Sequence, residues 1–132
     1  MASRFTELAI DCADPVRLAR FWCAVLDYEV RDEDEGEEEG VVTIGPPVAR
    51  QGTDRPGPVP PVLTFARVPE GRSAKNRLHI DVSPSDREQG DEVRRLIGLG
   101  ARRADVGQGD ASWVVLTDPE GNEFCVLGDR RP

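Results

Sequence analysis

The stretch that decides the fold reads FTELAIDCADPVRLARFWCAVLDYEV, residues 5–30. Residues 5–12 alternate apolar and polar side chains, which is the pattern of a β-strand with one buried face. The apolar face carries Leu8, Ile10 and Cys12, and the polar face carries Glu7, Ala9 and Asp11. Asp14 and Pro15 then predict a helix start, because aspartate caps free backbone N–H groups and proline suits the first helical position. Apolar residues at helical spacing extend this helix over 14–26.

Three more strands complete the first half of the chain. Residues 28–32, 41–44 and 62–68 have strand composition, and the acidic stretch RDEDEGEEEG, residues 31–40, joins the first two as a hairpin tip. Residues 45–61 contain six prolines and three glycines, which exclude a helix or a central strand and predict a loop. This loop is either a lid over a pocket or a plain surface excursion. The first half is therefore predicted to be βαβββ.

The same pattern begins again at residues 77–83, RLHIDVS. Leu78, Ile80 and Val82 share the apolar face here, and His79 and Asp81 share the polar face, so the parity repeats that of the first strand.

A second helix is expected over residues 86–98, capped by Ser85 or Asp86 and ended by Gly98 or Gly100. Strands over 101–106, 112–117 and 123–127 follow, and DPEGN, residues 118–122, predicts a tight turn between the last two. The second half is also βαβββ, so the chain contains an internal repeat of one supersecondary unit.

The repeat predicts an α+β domain over residues 1–132, with module one at about 5–68 and module two at about 76–128. Each helix covers the apolar face of its own strands. The more polar faces are then left to curve around a shared space, forming a cupped mixed sheet with the helices outside. That space is the expected pocket for a small-molecule ligand.

Composition excludes several classes of partner. The formal net charge is −8, and the acidic stretch 31–40 alone contributes −6 of it. A negative field repels phosphate backbones and anionic lipid, so we expect no nucleic-acid partner and no membrane partner. The three cysteines cannot all pair within the chain, which fits a reducing, cytoplasmic location.

Three segments carry a family resemblance: LAIDCADPVRLARFWCAVLDYEV (8–30), KNRLHIDV (75–82) and WVVLTDPEGNEFCVL (113–127). They resemble the vicinal oxygen chelate (VOC) superfamily, in particular glyoxalase-like domains of the glyoxalase/bleomycin resistance protein/dioxygenase type. The resemblance covers nearly the whole chain. It implies the glyoxalase/bleomycin resistance/dihydroxybiphenyl dioxygenase fold, and it implies a homodimer because the family usually builds its cavities by pairing modules.

The resemblance also implies where a metal would bind. Metal-using members hold one divalent cation with a ligand on the first and last strand of each module, and the matching positions here are Glu7, His79 and Cys125. No residue matches the fourth ligand position, because the strand at 62–68 contains no His, Glu, Asp or Cys. A lone thiol is a poor replacement in imidazole-carboxylate sites for Fe, Mn or Ni, although zinc accepts it. We therefore expect no bound metal and no cofactor.

Six residues form the candidate ligand-binding site at the cup: Glu7, Asp11, His79, Asp81, Trp113 and Cys125. Each has a structural alternative. In this alternative, His79 has a structural role and is hydrogen-bonded to Asp81, a backbone group or water. Cys125 is then a small buried apolar residue. Glu7 is solvated, the two equivalent aspartates tie their strands to neighbouring loops, and Trp113 is a pocket wall or a dimer contact.

The predicted function is small-molecule binding by a glyoxalase-like protein without the family's full metal site, the ligand being an unidentified metabolite or drug. The alternative is an enzyme of the VOC superfamily, either metal-dependent or assisted by His79 and Glu7 as acid and base, with lyase, isomerase or dioxygenase activity. A third possibility is an interaction domain with a vestigial pocket.

Overall fold

The computed structural model divides the chain into two compact units, Met1–Gly71 and Arg72–Pro132. The structure describes residues 2–3, 5–32, 40–47, 62–71, 73–74, 76–105 and 111–131. Most of the acidic stretch and most of the proline-rich loop therefore lie outside the described residues, and the lid remains a prediction. No helix within the described ranges is both long enough and apolar enough to cross a bilayer.

The first unit has the predicted βαβββ order. Its elements are β1 (Glu7–Cys12), α1 (Pro15–Leu26), β2 (Glu29–Asp32), β3 (Val41–Gly45) and β4 (Val62–Arg67). The sheet order is β1-β4-β3-β2, with β1 parallel to β4 and the other neighbours antiparallel. The sheet is thus mixed, as predicted.

Helix α1 begins and ends where local chemistry requires it. The Asp14 carboxylate accepts a hydrogen bond from the backbone N–H of Arg17 at 3.2 Å, and Pro15 occupies the first turn. Both features confirm the predicted start. At the other end Asp27 is left-handed with φ 55°, and Tyr28 donates its backbone N–H to the carbonyl of Cys23 at 3.1 Å.

The core of the first unit lies between α1 and strands β3 and β4. Leu18 and Trp22 of the helix are buried, as are Ile44 and Phe65 of the strands. Burial alternates along β1, whose polar-face residues are all exposed. The predicted parity of this strand is therefore confirmed, and the sheet face away from the core is the one that carries Glu7.

The second unit repeats the order. Its elements are β5 (Ile80–Val82), α2 (Gln89–Leu99), β6 (Arg102–Arg103), β7 (Val114–Thr117) and β8 (Glu123–Val126). The sheet order is β5-β8-β7-β6, with β5 parallel to β8 and the other neighbours antiparallel. The predicted α+β class, with two βαβββ modules, is confirmed.

The predicted start of the second helix is wrong. The helix begins at Gln89, its N-cap is Glu88 without a side-chain hydrogen bond, and the Asp86 carboxylate accepts from Arg87 Nε at 3.1 Å. The Gln89 amide donates to the carbonyl oxygens of Ser112 and Val126 at 2.9 and 3.0 Å, so contacts distant in sequence fix the start. The predicted ending is confirmed, because Gly100 follows the helix with φ 121°.

Two strands of the second unit are shorter than predicted. β5 covers only Ile80–Val82 of the expected 77–83, and β6 covers only Arg102–Arg103 of the expected 101–106. Leu78 precedes β5 and is 76% exposed, so its predicted place on the buried face is wrong. Outside the hydrogen-bonded ladder, strand parity no longer dictates the direction of a side chain.

The predicted turn between the last two strands is present and is organised by Asp118. This buried carboxylate accepts from the backbone N–H groups of Glu120 and Asn122 at 2.9 and 3.0 Å, and from the Asn122 amide. Gly121 has φ 86°, the conformation that the turn sequence predicts. Asn76 donates to Asn122 at 3.0 Å and so ties the segment before β5 to the same turn.

Candidate functional site

The polar face of the first sheet carries a chain of hydrogen bonds. Thr64 donates to Glu7 Oε2 at 2.5 Å, and the hydroxyl oxygens of Thr43 and Thr64 lie 3.1 Å apart. A threonine hydroxyl has a single proton. Because Thr64 gives its proton to Glu7, Thr43 must donate to Thr64, and the order of donation is Thr43 to Thr64 to Glu7.

Strand register explains this arrangement. Ala9 of β1 pairs with Thr64 in parallel register, and Thr43 of β3 lies opposite Thr64 in antiparallel register. Paired residues place their side chains on one face, so both threonines share the face of Glu7. The result is a carboxylate oriented by a hydroxyl on a sheet surface, with capacity to accept further hydrogen bonds.

A guanidinium lies beside this chain. Arg31 donates through Nη2 to the carbonyl of Pro46. A Cβ atom added at Gly45 would lie 3.0 Å from Arg31 Nε and 3.1 Å from Val62 Cγ1. The missing side chain of Gly45 therefore lets Arg31 lie against β3 next to Val62, whose register partner is Glu7. Positive and negative groups thus share one face of the first sheet.

The polar face of the second sheet holds His79, Asp81 and Cys125. His79 Nε2 lies 3.1 Å from Asp81 Oδ1, and both side chains are about half exposed, at 51% and 49%. Asp81 and Cys125 are register partners on the parallel strands β5 and β8, so their side chains point to the same side. One potential ligand atom from each of the three residues lies within 4.8 Å of the other two.

Cys125 differs from its two neighbours in burial. It is 8% exposed, whereas His79 and Asp81 are open to solvent. The cluster is therefore a thiol at the base of an imidazole-carboxylate pair. The contact between His79 and Asp81 fits the structural alternative of a satisfied histidine, and it also fits a histidine oriented for chemistry, since a carboxylate on one ring nitrogen fixes the tautomer.

The remaining two candidate residues are Asp11 and Trp113. Asp11 is exposed on β1, with Ala66 of β4 as its register partner. Trp113 lies just before β7 and is 42% exposed. Their expected participation in ligand binding remains a prediction, as does the meeting of all six residues at one cup.

Three polar residues of the first sheet, Arg31, Thr43 and Thr64, are not among the site residues predicted from the sequence. The threonines were assigned to strands only as strand formers. Strand parity indicates the face on which Thr64 lies, because Thr64 has the opposite parity to the buried residues Leu63 and Phe65. The sequence pattern places Arg31 in a solvated acidic tip, and only the pairing of β2 with β3 reveals that it lies next to Gly45.

The four-ligand metal site implied by the VOC resemblance does not fit these residues. Of its four positions, the one on β4 (Val62–Arg67) offers no carboxylate, imidazole or thiol on the polar face, where Thr64 stands instead. That same threonine engages Glu7, the ligand expected from β1. The first unit therefore supplies one carboxylate, hydrogen-bonded to Thr64, and one hydroxyl where two metal ligands would be required.

Fold and site together define an α+β protein built from two βαβββ units, each with a buried helix-facing side and a polar sheet face bearing clustered functional groups. Residues 7–127 match the family model described as "Glyoxalase-like domain", and the chain belongs to that family. No curated protein matches the sequence significantly.

Solved structures share the fold at low identity. A fosfomycin resistance protein, FosX, from Mesorhizobium loti has 13% identity and a TM-score of 0.64, covering 96% of this chain and 92% of its own. A possible glyoxalase from Bacillus cereus has 17% identity and a TM-score of 0.63, covering 96% and 99%. A FosX variant from Listeria monocytogenes, complexed with Mn(II) and 1S,2S-dihydroxypropylphosphonic acid, has 12% identity and a TM-score of 0.64, covering 96% and 90%. These similarities support the fold.

Proposed function

We propose that this glyoxalase-like protein binds a small polar metabolite or drug through the polar faces of its sheets, without the family's four-ligand metal site. The observation that carries the proposal is the hydrogen-bonded chain from Thr43 through Thr64 to Glu7. On the face where two metal ligands are expected, it holds one carboxylate oriented by a hydroxyl.

The charges of the first unit indicate what kind of ligand suits this face. Glu7 is an acceptor, and Arg31 brings a guanidinium with several donors to the same face. A ligand with both donor and acceptor groups would match this pair better than a purely apolar one. The Listeria FosX complex offers a precedent for a protein of this fold holding a small polar molecule, a dihydroxylated phosphonic acid.

The second unit offers further hydrogen-bonding side chains for a ligand. His79 and Asp81 are exposed enough for a ligand to reach them, and together they offer hydrogen-bond donors and acceptors. We include Asp11, Trp113 and Cys125 in the proposed binding site on the basis of their sequence positions.

A ligand screen with matched variants tests the proposal. Thermal-shift measurements on a library of polar metabolites and antibiotics, with fosfomycin and 1S,2S-dihydroxypropylphosphonic acid included, would be run with EDTA present. A hit should lose about tenfold in affinity, or about 1.4 kcal/mol, in Glu7→Gln or Thr64→Val, because each removes an oriented hydrogen-bonding group. Asp86→Asn, an exposed acid outside both clusters, should bind the hit normally.

Two outcomes would count against the proposal. One is the absence of any stabilising compound in the library. The other is a hit whose affinity is unchanged in Glu7→Gln, Thr64→Val and His79→Ala. Chemical conversion of a bound hit, lost in His79→Ala, would favour the enzymatic alternative.

We also propose a homodimer, a single domain over residues 1–132 and a cytoplasmic location. None of the three cysteines, Cys12, Cys23 and Cys125, is disulfide-bonded within the described residues, which is the state that a reducing compartment maintains. Light scattering at tens of micromolar protein should give twice the chain mass of 14.5 kDa. A monomer mass would contradict the dimer.

A further inference from the structure

We propose that the polar face of the first unit binds a small zwitterion, an α- or β-amino acid or a close analogue of one. Glu7 binds the ammonium group of this ligand, and Arg31 binds its carboxylate. The inference rests on the proposed function, which places a small polar ligand on this face, and it adds the chemical class of that ligand. All the residues that carry it belong to the first unit.

The negative end of the site is the Glu7 carboxylate, which the hydroxyl of Thr64 holds in place. Thr64 is 9% exposed and donates to Glu7 Oε2 at 2.5 Å, and Thr43 donates to Thr64 in turn. Glu7 itself is exposed, so a ligand can reach it. A carboxylate has about four lone-pair sites and no proton to donate, so the matching ligand group is a donor, and a cationic donor gains the most.

The positive end is the Arg31 guanidinium, which lies over Gly45 on the same face. A Cβ atom added at Gly45 would be 3.0 Å from Arg31 Nε and 3.3 Å from Nη2. The carbonyl of Pro46 accepts from Nη2 and thereby helps to orient the guanidinium. A guanidinium carries five N–H donors in a planar fork whose geometry matches a carboxylate, so the matching ligand group at this end is a carboxylate.

The spacing of the two ends matches an amino acid. Thr43 and Thr64 are register partners, so Gly45 and Thr64 are diagonal neighbours on β3 and β4. The side chains of diagonal neighbours begin about 7–8 Å apart. An α- or β-amino acid with a hydrogen bond of about 2.8 Å at each end joins groups about 7–10 Å apart. One molecule can therefore contact both ends, because Glu7 is held at Thr64 and Arg31 lies at Gly45.

Ligands with other charge patterns match only one end of this site. Glu7 repels a ligand that carries two negative charges, and Arg31 repels a ligand that carries two positive charges. A longer zwitterion such as 5-aminopentanoate must fold to keep both contacts, and ordering its additional rotatable bonds costs conformational entropy. The site therefore selects for opposite charges and for a short separation between them.

Calorimetric titration of the full chain with the proteinogenic amino acids and β-alanine tests the ligand class. We expect at least one Kd below about 1 mM. For the amino acid that binds most tightly, the N-acetyl derivative and the carboxamide should each bind at least about tenfold more weakly, because each loses one charge. The N-methyl derivative keeps its positive charge and should bind within about threefold of the parent. These comparisons use the unaltered protein, so they do not depend on the folding of a variant.

Two variants assign the charges to residues. In Glu7→Gln, N-acetylation of the amino acid should weaken binding by less than about threefold, because the partner of the ammonium group is already lost. In Arg31→Gln, conversion of the carboxylate to the carboxamide should have an equally small effect. Arg20→Gln removes an exposed cation on α1 and should leave the affinity unchanged. A tenfold effect of either derivative that persists in the corresponding variant would contradict the assignment.

Glu29 is a second acid beside Arg31, since it is exposed and is the register partner of Gly45. Glu29→Gln should bind the amino acid at least as tightly as the unaltered protein, because it removes a like charge near the carboxylate of the ligand. A loss of about tenfold or more in this variant would place the ammonium group at Glu29 and overturn the arrangement that we propose.

Failure of this inference differs from failure of the proposed function. If no amino acid binds but the ligand screen yields a Glu7-dependent hit of another class, the zwitterion is excluded and the proposed function stands. The same conclusion follows if both neutral derivatives bind as tightly as the parent amino acid. The absence of binding in the titrations and in the ligand screen would overturn both proposals.

Discussion

Replacing Asp118 by alanine should destabilise the second unit strongly, because this carboxylate organises the turn between β7 and β8. It is 3% exposed and accepts from the backbone N–H groups of Glu120 and Asn122 at 2.9 and 3.0 Å. The Asn122 amide donates to it as well, at 2.9 Å, and that amide's oxygen accepts from Asn76. Removing the carboxylate therefore leaves the backbone N–H groups of Glu120 and Asn122 without their acceptor. It also removes the hydrogen bond that holds the Asn122 side chain, and with it the link to Asn76.

The magnitude follows from these contacts. A hydrogen bond to a charged group contributes about 1.5–3 kcal/mol net, and water can reach the two half-buried donors and recover part of the loss. We expect Asp118→Ala to lower the free energy of unfolding by about 2–4 kcal/mol. Asp118→Asn keeps one acceptor oxygen and should lose about half as much.

Urea denaturation followed by tryptophan fluorescence measures this effect, with Asp129→Asn as the control for loss of an exposed acid. The control should change the free energy of unfolding by less than about 0.5 kcal/mol. The midpoint should fall at an unchanged slope, since the surface exposed on unfolding is the same. A loss below about 1 kcal/mol in Asp118→Ala would refute the assigned role of the carboxylate.

Three further predictions can be checked on the same protein. Gly45→Ala should lower the free energy of unfolding by about 1–3 kcal/mol, because the added Cβ displaces Arg31. Gly98→Ala is the matched control: an added Cβ meets nothing within 4 Å there, so this variant should raise the free energy of unfolding by about 0.5–1 kcal/mol. Thermal unfolding measures both. Gln89→Ala should lower the free energy of unfolding by about 1–2 kcal/mol, measured in urea, because two carbonyl oxygens lose their donor. Burial raises the pKa of the Cys23 thiol. The rate at which iodoacetamide alkylates Cys23 should therefore reach its plateau at a higher pH than the rate for free cysteine. Any stability that the buried neutral thiol contributes should be lost as pH rises through the raised pKa.

The parts of the fold that sequence reasoning predicted well depend on local chemistry. The cap by Asp14, the proline at the first helical turn and the DPEGN turn need only residues within a few positions of one another. Parity along β1 was also predictable, because one buried face imposes a period of two. These signals are strong enough to show the repeat of the βαβββ unit.

Features that depend on tertiary contacts were not predictable from local patterns. Helix α2 starts at Gln89 because of two carbonyl groups far along the chain, so the nearby capping candidates Ser85 and Asp86 were misleading. The hydroxyl chain from Thr43 to Glu7 requires the register of three strands, which no local pattern specifies. The same is true of Asp81 beside Cys125.

The parallel pairing of β1 with β4 has a consequence for biosynthesis. Glu7 and Thr64 are 57 residues apart in the chain, yet they are hydrogen-bonded in adjacent strands. At a translation rate of about 5–20 residues per second, β1 must wait about 3–11 s for its partner to be synthesised. The turn-linked and helical parts of the unit have no such delay, because their contacts are local. A nascent chain therefore exposes the unpaired edge of β1 during this interval. A pause in translation between residues 46 and 61 would lengthen the time in which a chaperone or a second chain can bind that edge.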